Sequence, residues 1–428
     1  MDDMTQLLEL LEKGVSACHV VMAAEESLKK EGFTPLYMEK EWEIVLGGRY
    51  YINHHDTTLV AFTVGENYTQ SDSIRLAAAH TDFPCLKIKP NPEVCLKSYG
   101  KVNVECYGGG IWNTWLDRPL SIAGRVALKS EDVFAPKMRF VDFNRPLMTI
   151  PNLAIHMNRE VNKGIELNKQ TDMLPIIGCI PTEQKDEKFF LELLAEELQV
   201  NKEEILDYEL TVYVAEKPFF TGIKEAFISS PRLDNLTSVY ALLQGISKGN
   251  RRGGINVAAL FDHEEIGSRT KQGAASLLLR DILLRIVKNL GGNEKDAESA
   301  IYRSMLLSVD VAHALHPNQP GKMDITNQPA LNKGFCIKEA SGQSYATDCR
   351  AVAVVQQICE QENILYQKFV NRSDMPGGST LGAIASSILP IPTVDMGVPI
   401  LAMHSARELM GREDIDSLVR FLSAWYML

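Results

Sequence analysis

Short, mainly apolar runs alternate with amphipathic stretches along most of the chain. Such runs are typical of strands that are buried on both faces of a parallel sheet. They span residues 73–80, 255–261, 305–309 and 393–398. Apolar residues at helical spacing predict helices over 3–30, 236–246, 273–288, 348–363 and 413–426. The alternation predicts an α/β fold with a mainly parallel central sheet that is flanked by helices.

The sequence has a different texture between residues 87 and 228. Short strand-like runs and many turn residues replace the alternation of strands and helices there. We therefore predict one α/β domain over 1–86 and 229–428, interrupted by an inserted β-rich domain over 87–228. A glycine triplet at 108–110 lacks the spacing of a P-loop or a dinucleotide-binding loop, and it indicates a tight turn or close backbone packing.

Composition narrows the classes of function. The chain has 428 residues, which suits two domains or one large domain with an insertion. Its formal net charge is −11 and no tract is basic, which argues against nucleic acid or an anionic membrane as a partner. No apolar run approaches the roughly 18 residues that a membrane span requires, so we expect no membrane-spanning segment.

The cysteines and the first residues bear on the cellular compartment. The eight cysteines show no C-x-x-C spacing, so they resemble reduced cysteines of a cytosolic protein and argue against a thiolate zinc site. Residues 1–5 lack the basic start and the apolar stretch of a signal peptide. We therefore expect a cytoplasmic protein.

Polar side chains follow the predicted buried strands at the point where each strand ends. They are His80 with Asp82, Glu264 with Glu265, Asp310, and His404, and Asp234 adds a carboxylate at a helix start. In open α/β sheets, ligands bind beyond the carboxyl ends of the strands, where residues far apart in sequence meet. Histidine and carboxylate ligands without sulfur suit zinc, manganese or cobalt. The pattern indicates a metal site.

The number of candidate ligands favours two metal ions. A catalytic zinc needs about three protein ligands, and five residues suffice for two ions if one carboxylate bridges them. Of the adjacent residues Glu264 and Glu265, one can hold a metal while the other acts as general base. Two metals that share a water can activate it and hold a scissile carbonyl, so the pattern favours a hydrolase.

Each of these residues, taken alone, also has a structural interpretation. The charged end at 262–265 can be a solvated turn, Asp82 a turn residue, Asp234 an N-cap, and Asp310 a buried hydrogen-bonded carboxylate. A single histidine after a strand is usually structural, and Asp262 and His263 keep that interpretation. The chain contains neither H-E-x-x-H nor G-x-S-x-G, which excludes the single-zinc helix site and weakens a serine hydrolase.

Five motifs resemble, in the same order, those of the aspartyl aminopeptidase family, metallopeptidase family 18. They are AAHTDFP at 78–84, SPRLDN at 230–235, DHEEIG at 262–267, SVDVAH at 308–313 and AMHSARE at 402–408. The resemblance covers nearly the whole chain. It implies a zinc exopeptidase fold in which a β-rich dimerisation domain interrupts the catalytic domain, and a two-zinc aminopeptidase that removes N-terminal residues from peptides.

The resemblance implies a division of the five ligands between two zinc ions. One ion is held by His80 and Asp310. The other is held by Glu265 and His404. Asp234 bridges the two ions, and manganese or cobalt are possible substitutes for zinc.

The resemblance also implies roles for three further residues and for self-association. Glu264 is the general base that acts on the metal-bridging water. Asp82 orients the His80 ring without binding the metal itself. Family members assemble into homododecamers built from dimers. His156 matches a family histidine that reaches the active site of a neighbouring subunit.

One stretch departs from the family pattern. Members that select acidic N-terminal residues carry Lys-Gln-Arg-Tyr-Ala after the third metal motif, whereas this chain has GQSYA at 342–346. Because a basic side chain is the natural partner of a substrate carboxylate, we expect a broader or a neutral and hydrophobic preference. Two other hypotheses stay open, namely a related two-metal deacylase or carboxypeptidase, and a non-catalytic oligomeric scaffold.

Overall fold

The computed structural model describes residues 3–180 and 188–428, which form two compact units. The first unit comprises Met1–Asp82, Pro218–Met403 and Glu408–Leu428. The second comprises Phe83–Lys217 and His404–Arg407. The sequence pattern predicts an insertion over 87–228, and it gives no sign that four residues near position 405 fold with the second unit.

Nine α-helices occur in the described residues. They are α1 (Asp3–Lys13), α2 (Ala17–Lys30), α3 (Phe189–Leu198), α4 (Leu233–Lys248), α5 (Leu278–Asn289), α6 (Glu294–Tyr302), α7 (Cys349–Glu362), α8 (Leu381–Ile388) and α9 (Arg412–Met427). Short 3₁₀ helices span Trp112–Trp115, Val161–Lys163, Lys202–Glu204, Ile223–Glu225, Glu264–Ile266 and Pro320–Lys322. Within this part of the chain, every helix is too short or too polar to cross a membrane.

The strands divide between three sheets. The first ten are β1 (Thr34–Leu36), β2 (Arg49–His54), β3 (Thr58–Val64), β4 (Ile74–His80), β5 (Cys85–Leu96), β6 (Tyr99–Tyr107), β7 (Leu120–Leu128), β8 (Lys137–Asp142), β9 (Ile176–Cys179) and β10 (Ile205–Val214). The others are β11 (Phe219–Thr221), β12 (Phe227–Ser230), β13 (Ile255–Phe261), β14 (Met305–Val309), β15 (Ala312–His313), β16 (Phe335–Glu339), β17 (Tyr366–Val370), β18 (Thr393–Gly397), β19 (Pro399–Leu401) and β20 (Glu408–Gly411).

The central sheet of the first unit has the strand order β1-β2-β3-β13-β4-β14-β18-β16-β17. Its four middle strands, β13, β4, β14 and β18, run parallel, while β3 and β16 pair with this group in antiparallel fashion. Helices α5, α6 and α8 contribute to the hydrophobic core on one face, and α4 contacts β4 and β13. The prediction of an α/β fold with a mainly parallel central sheet is confirmed.

Strand β13 shows why the apolar pattern predicts this sheet. All seven of its residues are buried, as expected for a strand that helices cover on both faces. Its one polar residue, Asn256, donates its amide to the main-chain oxygen of Tyr426, and the Tyr426 hydroxyl donates to the carbonyl of Val257. These bonds tie α9 to the middle of the sheet.

The register brings three strand ends to one edge of the central sheet. Phe261, the last residue of β13, pairs with His80, the last residue of β4. Strand β14 pairs with the other side of β4 and ends at Val309. The residues that follow these strands therefore leave the sheet at neighbouring positions, which is the arrangement that creates binding sites in α/β folds.

A smaller sheet of the first unit has the order β11-β12-β20-β19-β15. The second unit is built on a six-stranded antiparallel sheet, β8-β7-β10-β5-β6-β9. Its helix α3 contacts β5 and β8. No disulfide links any of the eight cysteines, all of which lie in the described residues.

Candidate metal centre

His80 lies at the middle of a buried cluster of carboxylates in the first unit. Its side chain is 1 % exposed. Its Nε2 atom lies 3.4 Å from an oxygen of Asp234 and 3.5 Å from an oxygen of Asp310. Potential ligand atoms of His80, Asp234 and Glu265 all lie within 4.8 Å of one another. Four residues that are far apart in sequence thus meet where the strands end.

These separations suit ligands that share a metal ion. Two ligands of a tetrahedral zinc, each about 2.0–2.2 Å from the ion, lie roughly 3.3–3.5 Å apart. The donor set, one imidazole with several carboxylates and no thiolate, is one that zinc accepts. The residues therefore fit a zinc site by both distance and chemistry.

The charge balance of the cluster also fits a cation. Burial lowers the pKa of His80, but hydrogen bonds that its ring donates to Asp234, Asp310 and Asp82 outweigh this effect and hold the pKa well above its usual range. A proton on His80 is thus favoured by the surrounding negative charge. A divalent cation bound at Nε2 would satisfy the same carboxylates, since metal ligation requires the unprotonated nitrogen.

Asp82 fixes the position of two neighbours through its carboxylate. One oxygen accepts the main-chain N–H of Glu264 at 3.0 Å, and the other accepts that of Glu265 at 3.1 Å. The Nδ1 atom of His80 lies 3.0 Å from the main-chain oxygen of Asp82 and 3.4 Å from its carboxylate. The carboxylate of Asp82 therefore lies closer to the main chain of Glu264 and Glu265, which form the glutamate turn, than to the ring of His80.

The turn after β13 presents the two glutamates. His263 has a left-handed backbone (φ 64°), and its carbonyl accepts the N–H groups of Ile266 and Ser268. The Nδ1 atom of His263 lies 2.9 Å from the hydroxyl oxygen of Thr270. The main-chain N–H of His263 donates to the carboxylate of Asp262. Asp262 and His263 thus contribute hydrogen bonds within this turn.

Glu264 is a half-buried acid beside this cluster. Burial raises its pKa to about 8, because desolvation penalises the carboxylate. The charge of His80 opposes this effect, while Asp310 and Asp82 add to it. A carboxyl group whose pKa lies near neutrality can both accept and release a proton at physiological pH.

A lysine that the sequence does not single out lies behind Asp310. Lys338 is 2 % exposed; its Nζ atom lies 3.6 Å from an oxygen of Asp310 and donates to the carbonyl of Val311 at 3.0 Å. It also faces Asp395 in the register of β16 and β18. The available signal was a lysine directly after the apolar run 335–337, because buried lysines are rare unless they are paired.

Asp234 leaves the helical path at the start of α4. Asp234 and Asn235 have non-helical backbone angles, and the peptide bond between them is cis. The N–H of Asp234 donates to a carboxylate oxygen of Glu408 at 3.0 Å, and the amide of Asn235 donates to the carbonyl of Val309. Neither residue is the N-cap, which is Arg232, so the interpretation of Asp234 as a simple cap is wrong.

The second unit carries two of the predicted site residues. His404 is half-buried, and its Nδ1 atom lies 3.2 Å from the carbonyl oxygen of Gly109. His156 is exposed, in a stretch without regular secondary structure after residue 150.

A cavity of about 280 Å³ opens near β15 in the first unit. Its apolar lining includes Met323, Phe369, Met375, Ile400 and Met403. His313, three residues beyond Asp310 in the sequence, also lines it. The guanidinium of Arg372 lies 2.7 Å from Asp374, so that its charge is already paired.

Known proteins resemble this chain over nearly its whole length. The model of the aminopeptidase I zinc metalloprotease family (M18) matches residues 10–426. The chain belongs to the M18 family. The probable M18 family aminopeptidase 2 of Clostridium novyi is 47 % identical over 410 residues, which are 96 % of this chain and 95 % of that protein.

Solved structures agree with this assignment. A chain of the Ape4 and Nbr1 complex has a TM-score of 0.95 and 34 % identity, and the match covers 99 % of this chain and 85 % of that one. The S. cerevisiae mApe1 dodecamer gives a TM-score of 0.84 and 25 % identity, with 99 % and 97 % coverage.

Family membership decides between the hypotheses about activity. This M18 protein is a metal-dependent aminopeptidase, since its family and its relatives over nearly the full chain are M18 aminopeptidases. The family is one of zinc metalloproteases, and the cluster around His80 supplies ligands that suit zinc.

Proposed function

We propose that this M18 protein is a two-zinc aminopeptidase whose centre is built from the five residues that sequence motifs single out. The observation that carries the proposal is the cluster of Asp234, Asp310 and Glu265 around His80, with separations that suit shared metal ions. In this proposal Asp234 would be shared by the two ions, His80 and Asp310 would complete one site, and Glu265 and His404 would hold the other.

When bound, the zinc pair polarises the scissile carbonyl and lowers the pKa of the attacking water. Glu264 accepts the proton of that water and delivers it to the leaving amine. The pKa of Glu264, which burial raises to about 8, lies close enough to neutrality for this carboxyl group to accept and release the proton. Asp82 keeps Glu264 and Glu265 in fixed relation by accepting both main-chain N–H groups.

Lys338 contributes by charge. Its ammonium group lies 3.6 Å from a carboxylate oxygen of Asp310 and offsets part of the negative charge of the cluster. The hydrogen bond from Lys338 to the carbonyl of Val311 also fixes the ammonium group beside Asp310.

The proposed substrate preference is for neutral or hydrophobic N-terminal residues. The cavity near β15 has a largely apolar lining, the run 342–346 lacks a basic side chain, and Arg372 is paired with Asp374. Hydrolysis rates of Leu-, Asp- and Glu-anilides test this preference. A strong preference for Asp or Glu would contradict it.

The proposed assembly is a homododecamer of dimers in the cytoplasm, in which His156 reaches a neighbouring active site. The exposed position of His156 and the dodecamer of the S. cerevisiae relative support it. The β-rich second unit supplies the dimerisation surface in this proposal. Light scattering after gel filtration tests it: a dodecamer is expected, and a monomer would contradict the role of His156.

The role of Glu264 is tested by Glu264→Gln. This change keeps the size and the hydrogen-bonding capacity of the side chain but removes the base. We expect kcat to fall by a factor of about 100 or more while zinc content and assembly stay unchanged. Full activity in this variant would show that another group moves the proton.

A further inference from the structure

The glycine triplet at 108–110 lies against His404 in the second unit. The carbonyl oxygen of Gly109 is 3.2 Å from Nδ1 of His404, and a Cβ atom at Gly109 would lie 3.5 Å from the same nitrogen. The main chain at Gly109 thus faces the imidazole ring directly. Only a residue without a large side chain leaves room for this contact.

The contact selects one tautomer of His404. A carbonyl oxygen can only accept a hydrogen bond, so the nitrogen that faces it must carry the proton. With the proton on Nδ1, the lone pair of Nε2 is available. A histidine that ligates a metal binds through its unprotonated nitrogen and donates its other N–H to such an acceptor.

Further hydrogen bonds from the same segment hold the main chain around His404. The N–H of Ile111 donates to the carbonyl of His404 at 2.9 Å. The hydroxyl of Thr114 accepts the N–H of Ala406 at 2.8 Å and donates to the carbonyl of Ile111 at 2.6 Å. His404 has a left-handed backbone (φ 65°), a conformation that persists only where the surroundings enforce it.

We propose that the segment 109–114 is the positioning element of His404, and that Thr114 and the Gly109 carbonyl set its ring orientation and its tautomer for metal binding. This inference rests on the proposed function, in which His404 is a ligand of one of two zinc ions. The segment itself touches no metal in this proposal. It acts through His404, and it gives the glycine triplet a role that its sequence spacing does not suggest.

Thr114 offers the sharper test, because two substitutions distinguish the effect of its hydroxyl group from the effect of its size. Thr114→Val removes the acceptor for the Ala406 N–H, whereas Thr114→Ser keeps it. We expect Thr114→Val to weaken one of the two zinc sites by about 10-fold to 100-fold, as loss of such supporting partners does elsewhere. Thr114→Ser is expected to bind both zinc ions as the wild type does.

Zinc binding is measured by titrating the metal-free full-length protein with zinc in competition with a chelating dye. The melting temperature of the metal-free form is measured in parallel. A purely structural role for Thr114 predicts a lower melting temperature of the metal-free protein and no selective loss at one site. Gly109→Val provides a second variant, since its extra methyl groups crowd the imidazole. Gly109→Ala is its control, because the added Cβ makes an ordinary contact at 3.5 Å.

His404→Ala separates this inference from the proposed function. If His404→Ala still binds two zinc ions, the ligand assignment on which the inference rests is wrong. If His404→Ala loses one zinc while Thr114→Val and Gly109→Val both bind zinc like the wild type, the ligand assignment stands and the positioning role is refuted. Selective weakening of one site in both variants, with recovery in Thr114→Ser and Gly109→Ala, supports it.

Discussion

The substitution Asp82→Asn tests how the glutamate turn is held. The carboxylate of Asp82 is 4 % exposed and accepts the N–H groups of Glu264 and Glu265 with separate oxygens. Asparagine offers one oxygen and turns an NH₂ group toward the other N–H, so one of the two bonds is lost. The contact from His80 to the main-chain oxygen of residue 82 does not depend on the side chain.

The magnitude follows from the bond that is lost. A hydrogen bond to a charged acceptor contributes about 1.5–3 kcal/mol, and each 1.4 kcal/mol corresponds to about a factor of ten in rate. If the loss of about 2–3 kcal/mol falls on the arrangement of Glu264 and Glu265, kcat/KM decreases about 30-fold to 150-fold. In the proposed two-zinc centre, zinc binding that involves Glu265 is expected to weaken more than zinc binding that involves His80 and Asp310.

The assay combines kcat/KM on a peptide anilide with stepwise zinc titration of the metal-free enzyme. Asp414→Asn is a matched control, because Asp414 is a fully buried carboxylate that also accepts main-chain N–H groups, from residues 332–334, outside the cluster. It is expected to change stability without changing zinc affinity. Equal weakening of both zinc sites by Asp82→Asn, or a change in kcat/KM of less than threefold, would refute the reasoning.

Three further predictions address metal, packing and pH. Chelation of the metal is expected to abolish peptide hydrolysis, and added zinc to restore it; activity that survives complete zinc removal would contradict the metal mechanism. Gly397→Ala is expected to lower zinc affinity at least 10-fold and to reduce the melting temperature, because a Cβ there overlaps the main-chain oxygen of Asp310, whereas Gly321→Ala has open space and is the control. Burial raises the pKa of Asp414 to about 7, although main-chain donors lower it, while the unfolded chain releases this proton near about pH 4. The folded state therefore binds this proton more tightly, so that stability falls as pH rises from about 4 to 7, by an amount of the order of 4 kcal/mol. Thermal melts across this range are expected to show the decrease, and Asp414→Asn to reduce it; an unchanged slope in the variant would assign the effect to other groups.

The parts of the fold that follow from local pattern were predictable. The run 255–261 is apolar throughout apart from Asn256, and it forms a fully buried strand of the predicted bounds. The polar residues after it lie beside His80 because parallel strands of one sheet end at the same edge. Periodicity and strand polarity are local properties, and they are enough to bring Glu265 and His80 together.

The supporting contacts were not predictable, because they depend on three-dimensional register. Nothing near Asp82 in the sequence indicates that its carboxylate accepts the N–H groups of residues 264 and 265. Lys338 faces Asp395 only through the antiparallel pairing of β16 with β18. The partners of His404 lie almost 300 residues earlier in the chain, at a separation of 295 residues for Gly109.

That long separation has a consequence for the order of events during synthesis. The strands of the second unit leave the ribosome well before residues 404–407, which complete that unit. Domains generally form as contiguous segments emerge, but this one cannot close its contacts at Ile111 and Thr114 until the late segment arrives. The second unit is therefore complete only after most of the polypeptide has been made.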